Sequence, residues 1–179
     1  MANAQPSQWK FDPIHSRLYF DISHIYATVI GQFDEFSGTI IIDPKTNMVT
    51  RCDMDVTVKS INTDNQQRDN DLRSKNFFDA DKYPLMKFRS GEITRLQGNN
   101  FQISGSLTIK DVTKDVVVPC TFLGVRNNPM SPKHLVAGYN AKFTIDRLAY
   151  HVGTGQLYKM GVVGKDVGIT VTFEVLKDK

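Results

Sequence analysis

The sequence predicts an all-β protein of about eight antiparallel strands. Apolar and polar residues alternate with a period of two, as in LYFDIS at 18–23, CDMDVTVKSI at 52–61 and GITVTFEVL at 168–176, and this spacing is that of strands with two different faces. Turn-forming sequences such as DP at 43–44 and GNN at 98–100 separate the strands. Short turns join neighbouring strands in antiparallel order. This number and spacing of strands are typical of a β-sandwich or a β-barrel.

Length and charge narrow the class of protein further. The 179 residues suit one domain that is large enough to bury a core without disulfide bonds. The net charge of +3 and the lack of a basic cluster interleaved with aromatic residues argue against nucleic-acid binding. No apolar run is long enough to span a bilayer. The polar start MANAQPSQW predicts a flexible leader at 1–8 behind an added Met, with the folded domain at 9–176, and suggests the mature form of an exported chain.

One charged segment breaks the strand pattern and predicts a short helix near residues 64–74. Thr63 and Gln66 have the spacing of a capping box, with Thr63 as the N-cap. Two acid-before-base pairs follow at i, i+4 spacing, Asp64–Arg68 and Asp69–Arg73. Each such pair contributes only about 0.2–0.5 kcal/mol, so the helix needs an apolar anchor. Phe77 and Phe78 follow the helix and are the candidate anchor, which predicts a helix laid across one end of the fold as a cap.

The interior of the predicted fold is apolar on every strand. An eight-stranded barrel is either filled by its own side chains or holds one small ligand. A cavity between apolar strand faces would be long and narrow, and its natural guest is a hydrocarbon chain, since burial stabilises by about 0.8 kcal/mol per CH₂ group. Composition alone is equally compatible with a filled core.

Few residues suggest catalysis or metal binding. None of the four histidines has the spacing of a zinc site. His15 stands between Asp12 and Ser16, where a structural role in a turn is favoured over a Ser-His-Asp relay. His24 ends an apolar strand face, where it is either a polar contact for a ligand headgroup or an ordinary histidine at the rim. Cys52 and Cys120 are expected to be buried free thiols, although a disulfide between them stays open.

Several blocks in order resemble the YceI-like family, a lipocalin-like group of bacterial proteins that bind polyisoprenoid lipids. The resemblance covers about residues 9–174 and rests on these blocks: FDPIHSRLYFDISH, GQFDEFSGTI, SINTDNQQRDNDLRSKNFFDADKYPLMKFRS, GSLTIKDVTKDVVV, IDR and DVGITVTFEV. It implies an eight-stranded antiparallel lipocalin-like barrel with a capping helix. The family often has His in the pattern RDxHLRS, where this chain has Asp71, so a headgroup contact from that position is not expected here.

The resemblance also implies a function and a site. We expect a non-enzymatic protein of the periplasm, or a secreted one, that holds a polyprenyl chain or an isoprenoid quinone such as ubiquinone. We expect no cofactor or metal, and a membrane only as the lipid source. The resemblance also allows a homodimer, because family members often pair as dimers. The predicted ligand-binding residues are Phe20, Ile22, His24, Phe33, Phe36, Val56, Val58, Arg68, Phe77, Phe78, Met86, Phe88, Leu107, Phe122, Phe143 and Phe173.

Three alternatives remain. The guest could be a fatty acid or a fatty amide in place of an isoprenoid. The protein could be an enzyme that acts on a lipid headgroup, with His24 or His15 as the acid–base group. It could also be an interaction module of a larger exported protein, in which the outer surface matters more than the interior.

Overall fold

The computed structural model describes residues 5–179 and confirms the all-β prediction. The strands are β1 (Ser7–Phe11), β2 (Arg17–His24), β3 (Ala27–Phe33), β4 (Phe36–Asp43), β5 (Met48–Thr57), β6 (Ile61–Asn62), β7 (Leu85–Arg95), β8 (Asn100–Ile109), β9 (Val112–Asn127), β10 (His134–Asp146) and β11 (Val163–Asp178). The first strand begins inside the predicted leader, at Ser7, and residues 1–4 of that leader lie outside the described residues.

The strands close into a barrel of eight antiparallel strands. The ring runs β1-β4-β5-β7-β8-β9-β10-β11 and returns to β1, because β11 pairs with β1 as well as with β10. Strand β2 continues the line of β1 after a break, pairing with the same β11, as in Thr172 opposite Arg17. Strands β3 and β6 extend β4 and β5 in the same way at that end of the barrel.

Helices occupy only short parts of the chain. Helix α1 (Gln66–Arg73) lies between β6 and β7, helix α2 (Gln156–Lys159) precedes β11, and 3₁₀ turns cover Val58–Ser60 and Arg147–Tyr150. Within residues 5–179, no helix combines the length and the apolar character required to cross a membrane. Helix α1 confirms the prediction of a helix near residues 64–74.

The predicted N-cap of α1 was wrong by two residues. Asn65 is the N-cap, and its side-chain oxygen accepts a hydrogen bond from the backbone N–H of Arg68 at 3.0 Å. Thr63 is buried, and both its backbone N–H and its hydroxyl donate to the carboxylate of Asp69, at 2.9 and 2.6 Å. Asp64 between them has a φ of 58°. Because of this left-handed turn, the helix begins two residues later than predicted. The same turn directs Thr63 toward the side of the helix that carries Asp69.

The two predicted i, i+4 ion pairs of α1 do not form among the described residues. Arg68 donates instead to the hydroxyl of Thr63 at 2.8 Å and to its carbonyl at 2.7 Å. Arg73 donates to the carbonyl oxygens of Lys59 and Ile61 at 2.9 and 2.6 Å. Charged hydrogen bonds to these main-chain oxygens fix the helix to the end of the barrel, which a solvated pair on one helix would not do.

We expect Asp69→Ala to loosen this attachment and to lower the free energy of unfolding by about 2–4 kcal/mol. The Asp69 carboxylate is buried and accepts both Thr63 hydrogen bonds, so its loss leaves two buried donors without an acceptor. Chemical denaturation of the purified protein measures the change. Asp71→Ala, at an exposed position of the same helix, is the control and should change stability by less than about 0.5 kcal/mol. Equal losses in the two variants would contradict the role given to Asp69.

The barrel interior is filled at one end and hollow at the other. At the filled end, large side chains meet across the barrel with little exposure, including Trp9, Ile42, Phe101, Tyr139 and Val175. The rings of Phe101 and Tyr139 pack edge to face at 6.2 Å. The hollow end is the one that α1 covers. Composition alone did not decide between a filled core and a cavity. The structure has both, since one half of the barrel is filled and the other half is hollow.

Candidate functional site

A cavity of about 570 Å³ occupies the hollow end of the barrel. Its volume falls within the range of roughly 300–1,000 Å³ that is usual for sites of small molecules. The walls come from β2, β3, β5, β7, β8, β9, β10 and β11, and α1 and the chain after it contribute to the covered end. The sequence predicted a long and narrow cavity. The observed cavity stops short of the filled end, where side chains such as Trp9 and Tyr139 occupy the interior.

The cavity wall is built from apolar side chains, as the alternation of the strands predicted. Most of the predicted site residues line it, namely Phe20, Ile22, His24, Phe33, Val56, Arg68, Phe77, Phe78, Met86, Phe88, Leu107, Phe143 and Phe173. They come from strands that are far apart in the chain, so closure of the barrel is what brings them together. A wall of this kind can hold an apolar chain through burial alone.

Three predicted site residues lie outside the cavity lining. Strand β5 ends at Thr57, so Val58 enters a 3₁₀ turn and is buried in the packed core instead of following the alternation. The ring of Phe36 packs on that of Phe11 with centroids 6.1 Å apart. The ring of Phe122 packs on Tyr139 at 5.3 Å, within the filled end. The period-two pattern places Phe36 and Phe122 inside the barrel, but it does not show how far along the barrel axis each of them lies.

Phe77 and Phe78 cover the hollow end, as predicted. Both line the cavity, and the ring of Phe78 meets that of Phe33 edge to face at 6.0 Å. The Phe78 backbone N–H donates to Leu72 in α1, and the amino group of Lys110 donates to the carbonyl of Phe77 at 2.7 Å. The pair is thus tied both to the helix and to the turn after β8, and it forms the apolar part of the cover over the cavity.

Polar side chains at the covered end give the cavity a rim that differs from its wall. His24 ends β2 opposite Val163, and Arg68 lies on α1. The sequence analysis included these two residues among the ligand-binding ones but missed Asn65, Gln67 and Asp71, which also line the cavity from α1 or its cap. The sequence contained the information needed to find these three residues, because a helix that covers an opening turns one of its faces toward that opening. Asp71 holds the position where the family often has His, so that position lines the cavity as a carboxylate.

Both cysteines are free, buried and part of the cavity wall, in agreement with the favoured interpretation of the sequence. Burial raises the pKa of Cys120 to about 12. Burial, with a smaller contribution from Cys120, raises the pKa of Cys52 to about 12 as well. The thiolate is the reactive form of cysteine, so at neutral pH these side chains act as apolar wall and not as nucleophiles.

The arrangement around His15 does not form a catalytic relay. His15 Nδ1 lies 2.9 Å from a carboxylate oxygen of Asp12, and this hydrogen bond raises the pKa of His15. The Ser16 hydroxyl, however, donates to the carbonyl of Glu174 at 3.1 Å and accepts from the N–H of the same residue. His15 is exposed and does not line the cavity. The structural role in the break between β1 and β2 is therefore the one observed.

Sequence reasoning missed the most buried cation of the cavity wall, Arg147. This residue follows β10 and is 6% exposed. Its Nε donates to the carbonyl of Gly164 at 2.8 Å and its Nη1 to that of Val152 at 2.7 Å. Burial lowers the pKa of Arg147, against a smaller opposing influence of Asp146. The block IDR contributes to the resemblance, but nothing in it shows that the arginine points inward.

The closed antiparallel barrel, hollow at one end and capped by a helix, defines a lipocalin-like protein. The family model of the YceI-like domain matches residues 9–175, and the chain belongs to this family. It is 28% identical to UPF0312 protein ECA1782 of Pectobacterium atrosepticum over 99% of this chain and 90% of that protein. It is also 28% identical to protein YceI of Escherichia coli, over 92% of this chain and 83% of that protein.

Solved structures show the same architecture. Burkholderia cenocepacia BcnA superposes with a TM-score of 0.79 at 25% identity, covering 93% of this chain and 99% of that one. A polyisoprenoid binding domain from Saccharophagus degradans superposes with a TM-score of 0.67 at 14% identity, covering 96% of this chain and 98% of that one. The second likeness extends to the fold alone.

Proposed function

We propose that this protein binds an isoprenoid lipid in the hollow end of the barrel and carries, stores or sequesters it without chemical change. The observation that carries the proposal is the apolar cavity of about 570 Å³ beneath α1, with its polar groups gathered at the covered end. An apolar wall with polar groups at one end fits an amphiphile, whose tail enters and whose head remains at the rim.

The tail would supply most of the binding free energy. Each buried CH₂ group contributes about 0.8 kcal/mol, and the methyl branches of an isoprenoid add apolar area to every unit of the chain. Ordering of the chain offsets a large part of this gain. Because the cavity ends at the filled half of the barrel, only part of a long polyprenyl or quinone tail would be enclosed.

Membership of the YceI-like family supports the choice of lipid. The polyisoprenoid binding domain of Saccharophagus degradans offers a parallel on the same fold. A fatty acid or a fatty amide is the alternative guest. Carriage between membranes would place the protein in the periplasm or outside the cell, and both this location and a homodimer stay predictions.

Lipid extraction tests the proposal directly. The protein, purified without detergent, should release an isoprenoid lipid into organic solvent, and mass spectrometry should identify it at up to one equivalent per chain. The matched control is Ala141→Trp, which replaces a small residue of the cavity wall and should release none. Equal lipid from both proteins would mean that the lipid does not occupy the part of the cavity around Ala141. Reconstitution with geranylgeraniol should then restore a bound lipid to the emptied native protein only, and failure to do so would end the proposal.

A further inference from the structure

The guanidinium of Arg147 has one nitrogen without a partner. Nε and Nη1 donate to main-chain carbonyls, whereas among residues 5–179 no hydrogen-bond acceptor lies within reach of Nη2. The residue is 6% exposed, so its charge is shielded from bulk water. Two N–H groups of a buried cation left unpaired are costly, and native proteins rarely keep such groups without a role.

Arg147 stands between two spaces. It lines the main cavity, and it also lines a smaller pocket of about 230 Å³, which we call the side pocket. Phe77 and Leu157 are likewise shared by both. The rest of the side pocket is polar or main chain, with Asn76, Thr154 and Gln156 as its polar side chains. A molecule with a tail in the cavity and a head in the side pocket would therefore pass Arg147.

The main chain makes room for the guanidinium here. Gly153 has a φ of 86°, and a β-carbon at this position would collide with Nη1 of Arg147. A side chain at position 153 would thus be excluded both by the backbone conformation and by the arginine. The chain that follows β10 therefore packs closely around the guanidinium of Arg147.

The charge of Arg147 favours an anionic head over a neutral one. The carboxylate that acts on Arg147, Asp146, is already engaged, since it accepts from the backbone N–H of Leu148 at 2.9 Å and lies 3.3 Å from the amino group of Lys165. A ketone or quinone oxygen would satisfy an N–H but leave the buried charge uncompensated. A phosphate or carboxylate oxygen would do both, and guanidinium groups bind such oxyanions in a fixed geometry.

We propose that Arg147 and the side pocket form the headgroup site of the barrel, and that they select amphiphiles whose head carries an anionic oxygen. This inference rests on the proposed function, because the tail of the same molecule occupies the cavity. It adds the class of headgroup, which separates a lipid phosphate or acid from a neutral lipid or a quinone.

Matched pairs of lipids test the headgroup site. Delipidated protein is titrated with geranylgeranyl monophosphate and geranylgeraniol, and in a second arm with oleic acid and oleyl alcohol, by isothermal titration calorimetry. We expect the anionic member of a pair to bind about tenfold to a hundredfold more tightly than the alcohol. The arm in which the anion binds more tightly shows whether the guest is an isoprenoid or a fatty acid. Equal affinity within both pairs would overturn the headgroup site while leaving the proposed function in place, and no binding of any of the four lipids would overturn both.

Variants at two positions test which residues cause the preference for an anionic head. Arg147→Met should remove the preference for the anion over the alcohol, so that the ratio of the two affinities falls to about one, and Arg147→Lys should keep part of this ratio. Thr154→Glu tests the side pocket at an exposed position that does not threaten folding, with Thr154→Gln as the neutral match. We expect the glutamate variant to bind the phosphate about tenfold more weakly than the glutamine variant, because only the glutamate side chain repels the anion. Unchanged phosphate binding in Thr154→Glu, or an equal loss of phosphate and alcohol in Arg147→Met, would overturn the assignment.

Discussion

Ala141→Trp should abolish lipid binding, with a loss of at least about a hundredfold in affinity, in a protein that stays folded. Ala141 lies on β10, between Cys120 of β9 and Val171 of β11, and its side chain is part of the cavity wall. An indole at this point would occupy the space of several CH₂ groups of the guest, and the loss of about 3–5 kcal/mol at about 0.8 kcal/mol each corresponds to this factor.

Stability is expected to change in the opposite direction from affinity. A tryptophan that fills part of a void of about 570 Å³ buries apolar surface without displacing other side chains. Cavity-filling substitutions commonly stabilise by about 0.5–2 kcal/mol. Thermal unfolding of the delipidated proteins measures this change, and titration with geranylgeraniol measures the loss of binding.

The control for Ala141→Trp is its neighbour on the same strand. Lys142 is exposed and points to the other side of β10, so Lys142→Trp adds the same indole outside the barrel. It should bind lipid with the affinity of the native protein. Full binding by Ala141→Trp would show that the lipid does not occupy this part of the cavity, and loss of binding in both variants would point to a site on the outer surface.

The parts of the fold that depend on local pattern were predictable. Alternation along β8 and β11 told which side chains face inward, because successive residues of a strand point to opposite faces. The helix at 66–73 was predictable from its charge and its position before Phe77 and Phe78. Its cap was not, since the choice between Thr63 and Asn65 depends on the left-handed turn at Asp64 and on the carboxylate of Asp69.

The depth of each residue inside the barrel was not predictable from one sequence. Phe122 and Phe143 both belong to inward faces, yet the first packs on Tyr139 in the filled end and the second lines the cavity. Depth follows from the pairing register of strands far apart in the chain, which alternation does not encode. Arg147 was missed for a related reason, because its two acceptors become neighbours only when the barrel closes.

Trp9→Ala should have the largest effect on stability, at a distance from the cavity. Trp9 is 4% exposed, lies on the short strand β1 that closes the ring, and packs in the filled end opposite Ile40. Truncation of a buried tryptophan costs about 3–5 kcal/mol, which in a domain of this size lowers the Tm by roughly 6–20 °C. Differential scanning calorimetry of the delipidated protein measures the change.

The same variant tests whether the two halves of the barrel act separately. Trp9 does not line the cavity, so well below its Tm the variant should bind geranylgeraniol within about twofold of the native affinity, unlike Ala141→Trp. Trp9→Phe is the matched control, since it keeps a ring and removes an indole N–H that has no partner among the described residues. Its loss of stability should be smaller, at about 1–2 kcal/mol. A large loss of affinity in Trp9→Ala, with the protein still folded, would mean that the lipid tail reaches through the filled end and that the core there opens to admit it.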